Sequence, residues 1–356
     1  LGSQLAAKVR TKPPQVLMRV MKAVIPLAGR GTRLYPQTHT KPKAMVRIAG
    51  KPILGHILTS LSDAGINEAI LVVGGPMQTQ IREYATSEYG DEFSFSFPEQ
   101  EDPQGLGHAI HQAAPIADGE PILITLGDML FERGHKSFLT AHRNLEAVDA
   151  SIGVKTVEEP SHYGVVDVEE DGSVRELVEK PADPPSNRAI SGVYVIDDSD
   201  ALFDALAYLM ENDLRGAGDE FQLTDALQRM VETGSTLGTF DVEDWYDCGR
   251  PETLLEANEV LLSTIETNGP ESLTDAVVVP PVDIGDNVTL TRSVVGPNVS
   301  LDDGVTIEDS VVQDSIVGRG ASLTDVNLQE SIIGDAATVH GEPRNLNVGD
   351  NSDLSL

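Results

Sequence analysis

An aliphatic residue recurs every six positions through the last quarter of the chain, and this period constrains the fold more than any other feature of the sequence. The clearest steps start at Ile284, Val295, Val317 and Ile333, and each of these residues is followed by Gly. A six-residue aliphatic repeat is typical of a left-handed parallel β-helix, whose short strands stack at about 18 residues per coil. We therefore predict such a helix, of roughly four coils, over residues 275–356.

Between residue 22 and about residue 130, strand patterns alternate with amphipathic helix patterns. Strands are predicted at Ala23–Leu27 and Glu68–Gly74, and helices at Pro52–Ala64 and Met77–Tyr84. This alternation is typical of an α/β fold in which helices cover both faces of a parallel sheet. More antiparallel strand patterns follow later, so the sheet is expected to be mixed and mostly parallel.

The beginning of the chain is free of acids, although the protein as a whole is strongly acidic. Its 57 Asp and Glu residues give a formal net charge of −32, yet the first acid is Asp63. An even spread would place about ten acids before that point. The same segment has 11 of the 25 Lys and Arg residues, seven of them between Lys22 and Lys51. This segregation predicts an anion-binding site, with a merely solvated basic loop as the alternative.

The glycine-rich segment AGRGTR indicates which anion binds. It follows the strand at Ala23–Leu27, so its backbone N–H groups can close around phosphate oxygens. The P-loop pattern G-x-x-x-x-G-K-[ST] is absent, and the dinucleotide pattern G-x-G-x-x-G fails at Leu34. The remaining pattern combines the guanidinium of Arg33 with the ammonium of Lys43, which suits a triphosphate.

The longer segment IPLAGRGTRLYPQTHTKPKAMV resembles the signature of the sugar-1-phosphate nucleotidyltransferases: a strand, then G-x-G-T-R-L-x-P, then P-K. The resemblance extends in order to about Leu262. It implies a Rossmann-like catalytic domain over residues 22–265 that transfers a nucleoside monophosphate from a pyrimidine nucleoside triphosphate to a sugar 1-phosphate. The Ile25-Pro26 pair is closer to the UTP–glucose-1-phosphate branch than to the thymidylyl branch, but UTP and dTTP both stay open. Glucose 1-phosphate is the expected sugar, with an N-acetylhexosamine 1-phosphate as the alternative.

By this resemblance, the nucleotide contacts the glycine-rich loop and a second motif, QEDPQGLGHA, which also resembles the uridylyl branch. Gln100 is expected to pair with the edge of a pyrimidine through an amide donor and acceptor together. Arg33 is expected to steady the leaving pyrophosphate, and Lys43 to neutralise phosphate charge in the transition state. The implied nucleotide-binding residues are Leu27, Ala28, Gly29, Gly31, Thr32, Arg33, Gln100 and Gly105.

Two acids are expected to hold Mg²⁺. Asp128 follows the apolar run PILITL, and an acid at the carboxyl end of such a strand is well placed to hold Mg²⁺ against a triphosphate. Asp247 lies in the segment WYDCG, which resembles the family pattern W-x-D-x-G and implies the second magnesium carboxylate. His108 and His111 could form a separate metal pair, but packing on a helix face is the favoured interpretation.

Later segments, HYGVVD, VEKP and SGVYV, resemble those that line the sugar-phosphate pocket in the family. Glu179 is expected to accept hydrogen bonds from sugar hydroxyls, and Lys180 to face the phosphate. In the segment GDEFQLTDA, Thr224 or Asp219 could cap a helix instead of serving the site. The implied sugar-phosphate residues are Gly164, Glu179, Lys180 and Gly192.

Two other functions compete with nucleotidyl transfer. An acyltransferase site on the β-helix is disfavoured, because after residue 270 the chain has one histidine, His340, no lysine and three arginines. A non-catalytic regulatory or scaffold subunit is disfavoured because Arg33, Lys43 and Asp128 are all present. We expect the β-helix to assemble the protein into a homo-oligomer.

Composition suggests the setting in which the protein works. Nine Lys against 16 Arg, with acids scattered along the chain, favour a surface adapted to high salt over an acidic partner-binding or nucleic-acid-mimicking surface. The single cysteine, Cys248, is typical of a reducing cytoplasm. No apolar run is long enough to span a membrane. Residues 1–21 are predicted to be a disordered basic leader.

Overall fold

The computed structural model describes residues 20–29, 31–243, 245–265 and 272–342. Most of the leader predicted over residues 1–21 therefore lies outside the described residues. None of the helices in the described ranges is long and apolar enough to cross a membrane.

The first part of the chain alternates strands with helices. Its strands are β1 (Lys22–Pro26), β2 (Arg47–Ile48), β3 (Lys51–Pro52), β4 (Glu68–Val72), β5 (Ser94–Ser96), β6 (Ile122–Thr125), β7 (Met129–Phe131), β8 (Ala150–Thr156), β9 (Gly164–Val168), β10 (Val174–Glu179), β11 (Arg188–Ile196), β12 (Leu237–Asp241) and β13 (Trp245–Asp247). Its helices are α1 (Ile53–Asp63), α2 (Gln78–Tyr89), α3 (Leu106–His111), α4 (Ala114–Ala117), α5 (Gly134–Arg143), α6 (Ser199–Glu211), α7 (Leu223–Glu232) and α8 (Pro251–Thr264). Short 3-10 turns lie at Thr32–Leu34, Gln37–His39, Lys43–Met45, Pro160–His162 and Ala217–Asp219.

Nine of these strands form one mixed sheet. Its order is β10-β9-β11-β6-β1-β4-β5, with β8 beside β11 and β12 beside β8. The part built from β6, β1, β4 and β5 is parallel, and so is the β8–β12 pair. Strand β11 runs antiparallel to β6, β8 and β9. The α/β class with a mixed sheet, predicted from the sequence, is confirmed.

Both faces of this sheet are buried, which explains the continuous apolar runs of its central strands. On β1, Val24 packs in the cluster that includes α3, α6 and α7, whereas Ile25 belongs to the opposite cluster with α1, α2, α5 and α8. Successive strand residues point to opposite faces, so a strand covered on both sides needs apolar residues throughout. Helix α2 continues past its predicted end, because Ala85 and Tyr89 prolong its buried face.

The last part of the chain folds into three parallel sheets in the arrangement of a left-handed β-helix. The sheets are β14-β17-β20-β23-β26, β15-β18-β21-β24 and β16-β19-β22-β25. The strands are β14 (Ser272–Thr274), β15 (Val277–Val278), β16 (Val282–Ile284), β17 (Thr289–Thr291), β18 (Val294–Val295), β19 (Val299–Leu301), β20 (Thr306–Glu308), β21 (Val311–Gln313), β22 (Ile316–Val317), β23 (Ser322–Thr324), β24 (Asn327–Gln329), β25 (Ile332–Ile333) and β26 (Thr338–His340). Residues 343–356 of the predicted β-helix lie outside the described residues.

Each coil is 16 or 17 residues long, shorter than the predicted length of about 18. Leu290 pairs with Ile307, and Ile307 pairs with Leu323, at separations of 17 and 16 residues. The coils turn at corners where one residue has a left-handed backbone conformation, which Asp and Asn adopt more readily than most residues. These corner residues are Asp275, Asn287, Arg292, Asn298, Asp309, Asp314, Asp325, Glu330 and Ala336.

The β-helix packs against the segment that follows the glycine-rich loop. The Ala49 N–H donates to Ser300 Oγ at 3.1 Å and to Asn258 Oδ1 on α8 at 3.0 Å. Two ion pairs continue this interface: Arg47 Nε to Asp302 Oδ2 at 3.1 Å and Lys41 Nζ to Asp335 Oδ2 at 2.5 Å. Asp302 is almost fully buried there. Charged contacts therefore tie the β-helix to the chain on either side of Lys43.

Candidate active site

A cavity of about 510 Å³ opens where β1 and β6 end. Parallel sheets bind ligands at the carboxyl ends of their strands, and this volume suits a small-molecule site. All of the predicted nucleotide-binding and catalytic residues line it. They are Leu27, Ala28, Gly29, Gly31, Thr32, Arg33, Lys43, Gln100, Gly105 and Asp128.

The glycine-rich loop is held in a tight turn against Lys43. Gly31 has a φ of 62°, and a Cβ there would lie 3.0 Å from Lys43 Cβ. The buried Thr38 hydroxyl donates to the Gly31 carbonyl at 2.8 Å and closes the turn. Only glycine combines this conformation with so close an approach. The turn thereby places Arg33 and Lys43 on the same wall of the cavity.

Pairing between β7 and β13 brings the two predicted metal ligands together. Asp247 is the register partner of Met129, and the Cys248 N–H donates to the Asp128 carbonyl at 2.9 Å. Lys43 Nζ lies between the two carboxylates, 2.5 Å from Asp128 Oδ2 and 3.6 Å from Asp247 Oδ1. Burial raises the pKa of the Cys248 thiol, so this side chain stays protonated beneath the acids.

The two carboxylates could hold a divalent metal ion that completes its shell with phosphates and water. Asp247 Oδ1 is buried and has no hydrogen-bond partner within the described ranges. Gly249 keeps the adjoining space open, because a Cβ there would lie 2.6 Å from Asp247 Oδ1. No group of three or more His, Cys, Asp or Glu side chains in the described part of the chain could hold a metal alone. Mg²⁺ suits such a site, because it binds one or two carboxylates and substrate phosphates.

Gln100 forms another part of the cavity wall and is nearly buried, with 5% of its surface exposed. Its Nε2 lies 3.2 Å from the Gly105 carbonyl and 2.9 Å from His108 Nδ1. Gly105 has a φ of 111°, and a Cβ there would lie 2.6 Å from the Phe221 carbonyl. The sequence analysis favoured simple packing of His108 on the helix face. The structure shows in addition that its ring contacts the Gln100 amide.

The four predicted sugar-phosphate residues do not line this cavity. Gly164 and Glu179 are register partners on β9 and β10, and the Thr224 hydroxyl donates to Glu179 Oε2 at 2.7 Å. Lys180 is exposed, and its Nζ lies 3.5 Å from Glu179 Oε1. Gly192 instead adjoins the cavity, because its carbonyl accepts a hydrogen bond from the N–H of the cavity residue Leu126.

A comparison with known proteins identifies the family. The family model described as nucleotidyl transferase matches residues 22–264. The chain belongs to this nucleotidyl transferase family. It is 36% identical over 245 residues to the low-salt glycan biosynthesis nucleotidyltransferase Agl11 of Haloferax volcanii, covering 68% of this chain and 66% of that protein. It is 33% identical to the UTP–glucose-1-phosphate uridylyltransferase AglF of the same organism, covering 68% of this chain and 96% of AglF.

The nucleotidyl transferase fold is also seen in a related crystal structure. A UDP-glucose pyrophosphorylase complexed with UDP-glucose superposes with a TM-score of 0.59 at 28% identity, covering 69% of this chain and all of that one. The family resemblance and the Rossmann-like fold predicted from the sequence are therefore confirmed.

Sequence reasoning missed several groups that shape this nucleotidyl transferase site. Gly127 is tightly enclosed, because a Cβ would lie 2.3 Å from Leu27 Cδ2 and 3.0 Å from the Pro26 carbonyl, and a Cβ on Gly74 would lie 2.8 Å from the Gln100 carbonyl. The suggestion that Thr224 or Asp219 caps a helix is wrong. Helix α7 has Gln222 at its N-cap without a side-chain cap, and Thr224 binds Glu179 instead.

Proposed function

We propose that this protein transfers a nucleoside monophosphate from a pyrimidine nucleoside triphosphate to a sugar 1-phosphate and releases pyrophosphate. The observation that carries the proposal is the convergence of two cations and two carboxylates at one edge of the cavity, which Arg33, Lys43 and Asp128 line and which Asp247 adjoins. Arg33 Nη1 is 4.0 Å from Asp247 Oδ2, and Lys43 contacts both Asp247 and Asp128. Triphosphate chemistry needs this combination, because the cations bind phosphate oxygens while the carboxylates hold the metal.

The reaction needs alignment and charge stabilisation more than acid–base catalysis. A phosphate oxygen of the sugar 1-phosphate is already anionic at neutral pH, so it can attack the α-phosphorus without a strong general base. Arg33 steadies the pyrophosphate that leaves in line with the attack, and Lys43 neutralises charge on the transferring phosphoryl group. The glycine-rich loop at Leu27–Thr32 lies along the phosphates.

Asp128 and Asp247 would hold Mg²⁺, which when bound neutralises phosphate charge next to the reacting phosphorus. Lys43 forms ion pairs with both carboxylates, so its charge offsets their mutual repulsion and orients them. The Oδ1 of Asp247 supports this role, because it is buried and makes no hydrogen bond within the described residues, only an ion pair with Lys43 at 3.6 Å.

The sugar phosphate is assigned to the cluster around Glu179. Thr224 binds one carboxylate oxygen of Glu179, which leaves the group able to accept from sugar hydroxyls through the other. Lys180 is the last lysine of the chain and supplies a charge for the sugar's phosphate. Gly164 is needed beside Glu179, because a Cβ there would lie 2.8 Å from Glu179 Oε2. Gly192 adjoins the nucleotide cavity.

UTP and glucose 1-phosphate are the proposed substrates, with dTTP as the competing nucleotide. The Ile25-Pro26 pair, the GLGHA motif and the similarity to AglF support UTP. The test is pyrophosphate release with Mg²⁺ in ~2 M KCl, a salt level chosen for the acidic surface. UTP, dTTP, ATP and GTP are crossed with the 1-phosphates of glucose, galactose, mannose and N-acetylglucosamine. Release with one pair establishes the function, whereas folded protein that is silent throughout favours a regulatory or scaffold subunit.

The β-helix is proposed to join copies of this chain. Val277, Val294 and Val311 project from successive strands of the sheet β15-β18-β21-β24 and are 56%, 36% and 39% exposed. A protein with a net charge of −32 can meet a second copy most cheaply over such an uncharged stripe. Light scattering should show a smaller mass for Val294→Glu than for the wild type, and an equal mass would refute the interface.

The remaining proposals concern the environment. The acidic surface suits a cytoplasm of high salt, and neither a membrane nor a nucleic-acid polymer is a proposed partner. Acyl transfer on the β-helix is not proposed, because after residue 270 the sequence has one histidine, His340, and no lysine.

A further inference from the structure

The amide of Gln100 is oriented by two fixed groups, and this orientation determines what it can offer a base. Its Nε2 contacts both the Gly105 carbonyl and His108 Nδ1. The carbonyl can only accept, so the amide atom beside it must be the nitrogen. Both amide hydrogens are then used, and His108 Nδ1 must be the acceptor of the second.

The backbone around Gly105 is itself anchored and serves as a rigid reference. The Phe221 N–H donates to the Gln104 carbonyl, and the Gly107 N–H donates to the Phe221 carbonyl, both at 2.8 Å. Gly105 contributes its carbonyl from between these two bonds. A side chain at Gly105 would collide with Phe221, so the turn cannot shift toward α7. The direction of the Gln100 amide therefore follows from the fold.

Gln100 Oε1 has no hydrogen-bond partner among the residues that the structure describes, and the side chain lines the cavity. The amide thus presents an acceptor to the ligand, not the donor and acceptor together that the sequence suggested. Uracil and thymine carry a hydrogen on N3, whereas N3 of cytosine is an acceptor. An acceptor at this place favours the first two bases and repels the third.

We propose that His108 is a positioning residue for base selection: it binds the Gln100 amide hydrogen so that Oε1 accepts from N3–H of uracil or thymine and rejects cytosine. This inference rests on the proposed function, because it assumes that the cavity takes a pyrimidine nucleotide. It assigns His108 a role that neither helix packing nor metal binding would give it.

The surroundings of His108 favour the neutral ring, in which Nδ1 can accept from Gln100. Burial lowers the pKa of His108, His111 and Arg215 lower it further, and Asp102 acts in the opposite direction. The proton of the neutral ring then lies on Nε2, where the Gln112 amide is 3.2 Å away. The Gln112 Nε2 also donates to the His108 carbonyl at 3.0 Å, so this amide must move away from the Nε2–H. Gln112 is partly exposed and can do so, whereas Gln100 is nearly buried and keeps its orientation.

The test compares the binding of Mg-UTP and Mg-CTP by calorimetry, with turnover measured beside it. His108→Phe removes the acceptor, His108→Asn keeps an acceptor near the position of Nδ1, and His111→Phe is the control on the same helix. We expect the wild type to prefer UTP by at least ~100-fold, and His108→Phe to lose about tenfold of that preference. His108→Asn and His111→Phe should keep it within about threefold, and the KM for the sugar 1-phosphate should not change.

A preference that survives His108→Phe, or an equal loss of UTP and CTP binding, would overturn the assignment. Because His108→Phe could unfold, N3-methyl-UTP provides a second test on the wild type. It lacks the N3 hydrogen and should bind at least ~100-fold more weakly than UTP, and equal binding would refute the acceptor role of Gln100. Wild-type protein that binds neither UTP nor dTTP would instead refute the proposed function itself.

Discussion

Adding a single methyl group at Gly249 should slow catalysis without lowering the stability of the folded protein. A Cβ there would lie 2.6 Å from Asp247 Oδ1 and 2.8 Å from Lys43 Nζ. Ordinary contact would require these atoms to retreat by roughly 0.4–0.8 Å. Both belong to the proposed catalytic groups, and a displacement of about 1 Å in such groups costs on the order of 100-fold in rate. We therefore expect Gly249→Ala to lower kcat by about 10- to 100-fold.

The folded state should tolerate this change. Gly249 has no positive φ, so alanine adds no backbone strain, and the displaced Asp247 side chain is 39% exposed. The melting temperature should stay within about 2 °C of the wild type. Gly334→Ala is the matched control, because its Cβ would meet only Gln37 Oε1 at 3.4 Å, an ordinary contact. That variant should match the wild type in both rate and melting.

The assay is steady-state pyrophosphate release at saturating nucleotide and sugar phosphate, with thermal melting on the same preparations. An unchanged kcat in Gly249→Ala would refute the argument that the positions of Asp247 and Lys43 limit catalysis. A melting temperature that falls by about 10 °C would contradict the claim that the methyl group disturbs only the site.

Three further predictions test other parts of the molecule. Asp128→Asn should abolish turnover while leaving thermal melting unchanged, and a variant that keeps most of its activity would exclude Asp128 as a metal ligand. A chain that ends at Thr264 should melt about 5–10 °C lower and turn over more slowly, because removing the β-helix uncovers Ile48 and its neighbours. Each kcal/mol lost from the free energy of unfolding lowers the melting temperature by about 2–4 °C. Equal melting would show that the interface contributes little to stability. Burial lowers the pKa of His135 to about 3 and of His56 to about 4. As the pH falls, the unfolded chain takes up protons on these histidines before the folded protein does, so stability should fall between pH 6.5 and 4. His135→Gln should make the melting temperature depend less steeply on pH over this range.

The sequence predicted the groups that carry charge and missed the contacts that orient them. Arg33, Lys43 and Asp128 stand in motifs with a fixed spacing, so their meeting in one cavity could be anticipated. Asp247 could be named only through resemblance, because its position beside Asp128 depends on the pairing of β7 with β13. The hydrogen bond from Thr224 on α7 to Glu179 on β10 joins a helix and a strand that are far apart in the chain, so no local sequence pattern predicts it.

The periodicity of the sequence predicted the β-helix but not the length of its coils. The aliphatic repeat identified the β-helix, because inward residues such as Ile307 must be apolar in any register. It did not give the 16- or 17-residue coil, because the corners are shortened by left-handed residues such as Asp309 and Asp325. Asp is common on this surface for its charge as well, so its turn-forming role is not distinguishable in the sequence.

The acid-free beginning of the chain turns out to have two causes, of which the sequence suggested one. Arg33 and Lys43 do face the cavity, as an anion site requires. Lys41 and Arg47 instead bind acids of the β-helix, Asp335 and Asp302. An acid placed on this segment would therefore repel both the phosphates in the cavity and the acidic β-helix behind it. The positive charge of this short segment therefore serves both the proposed phosphate site and the packing of the β-helix.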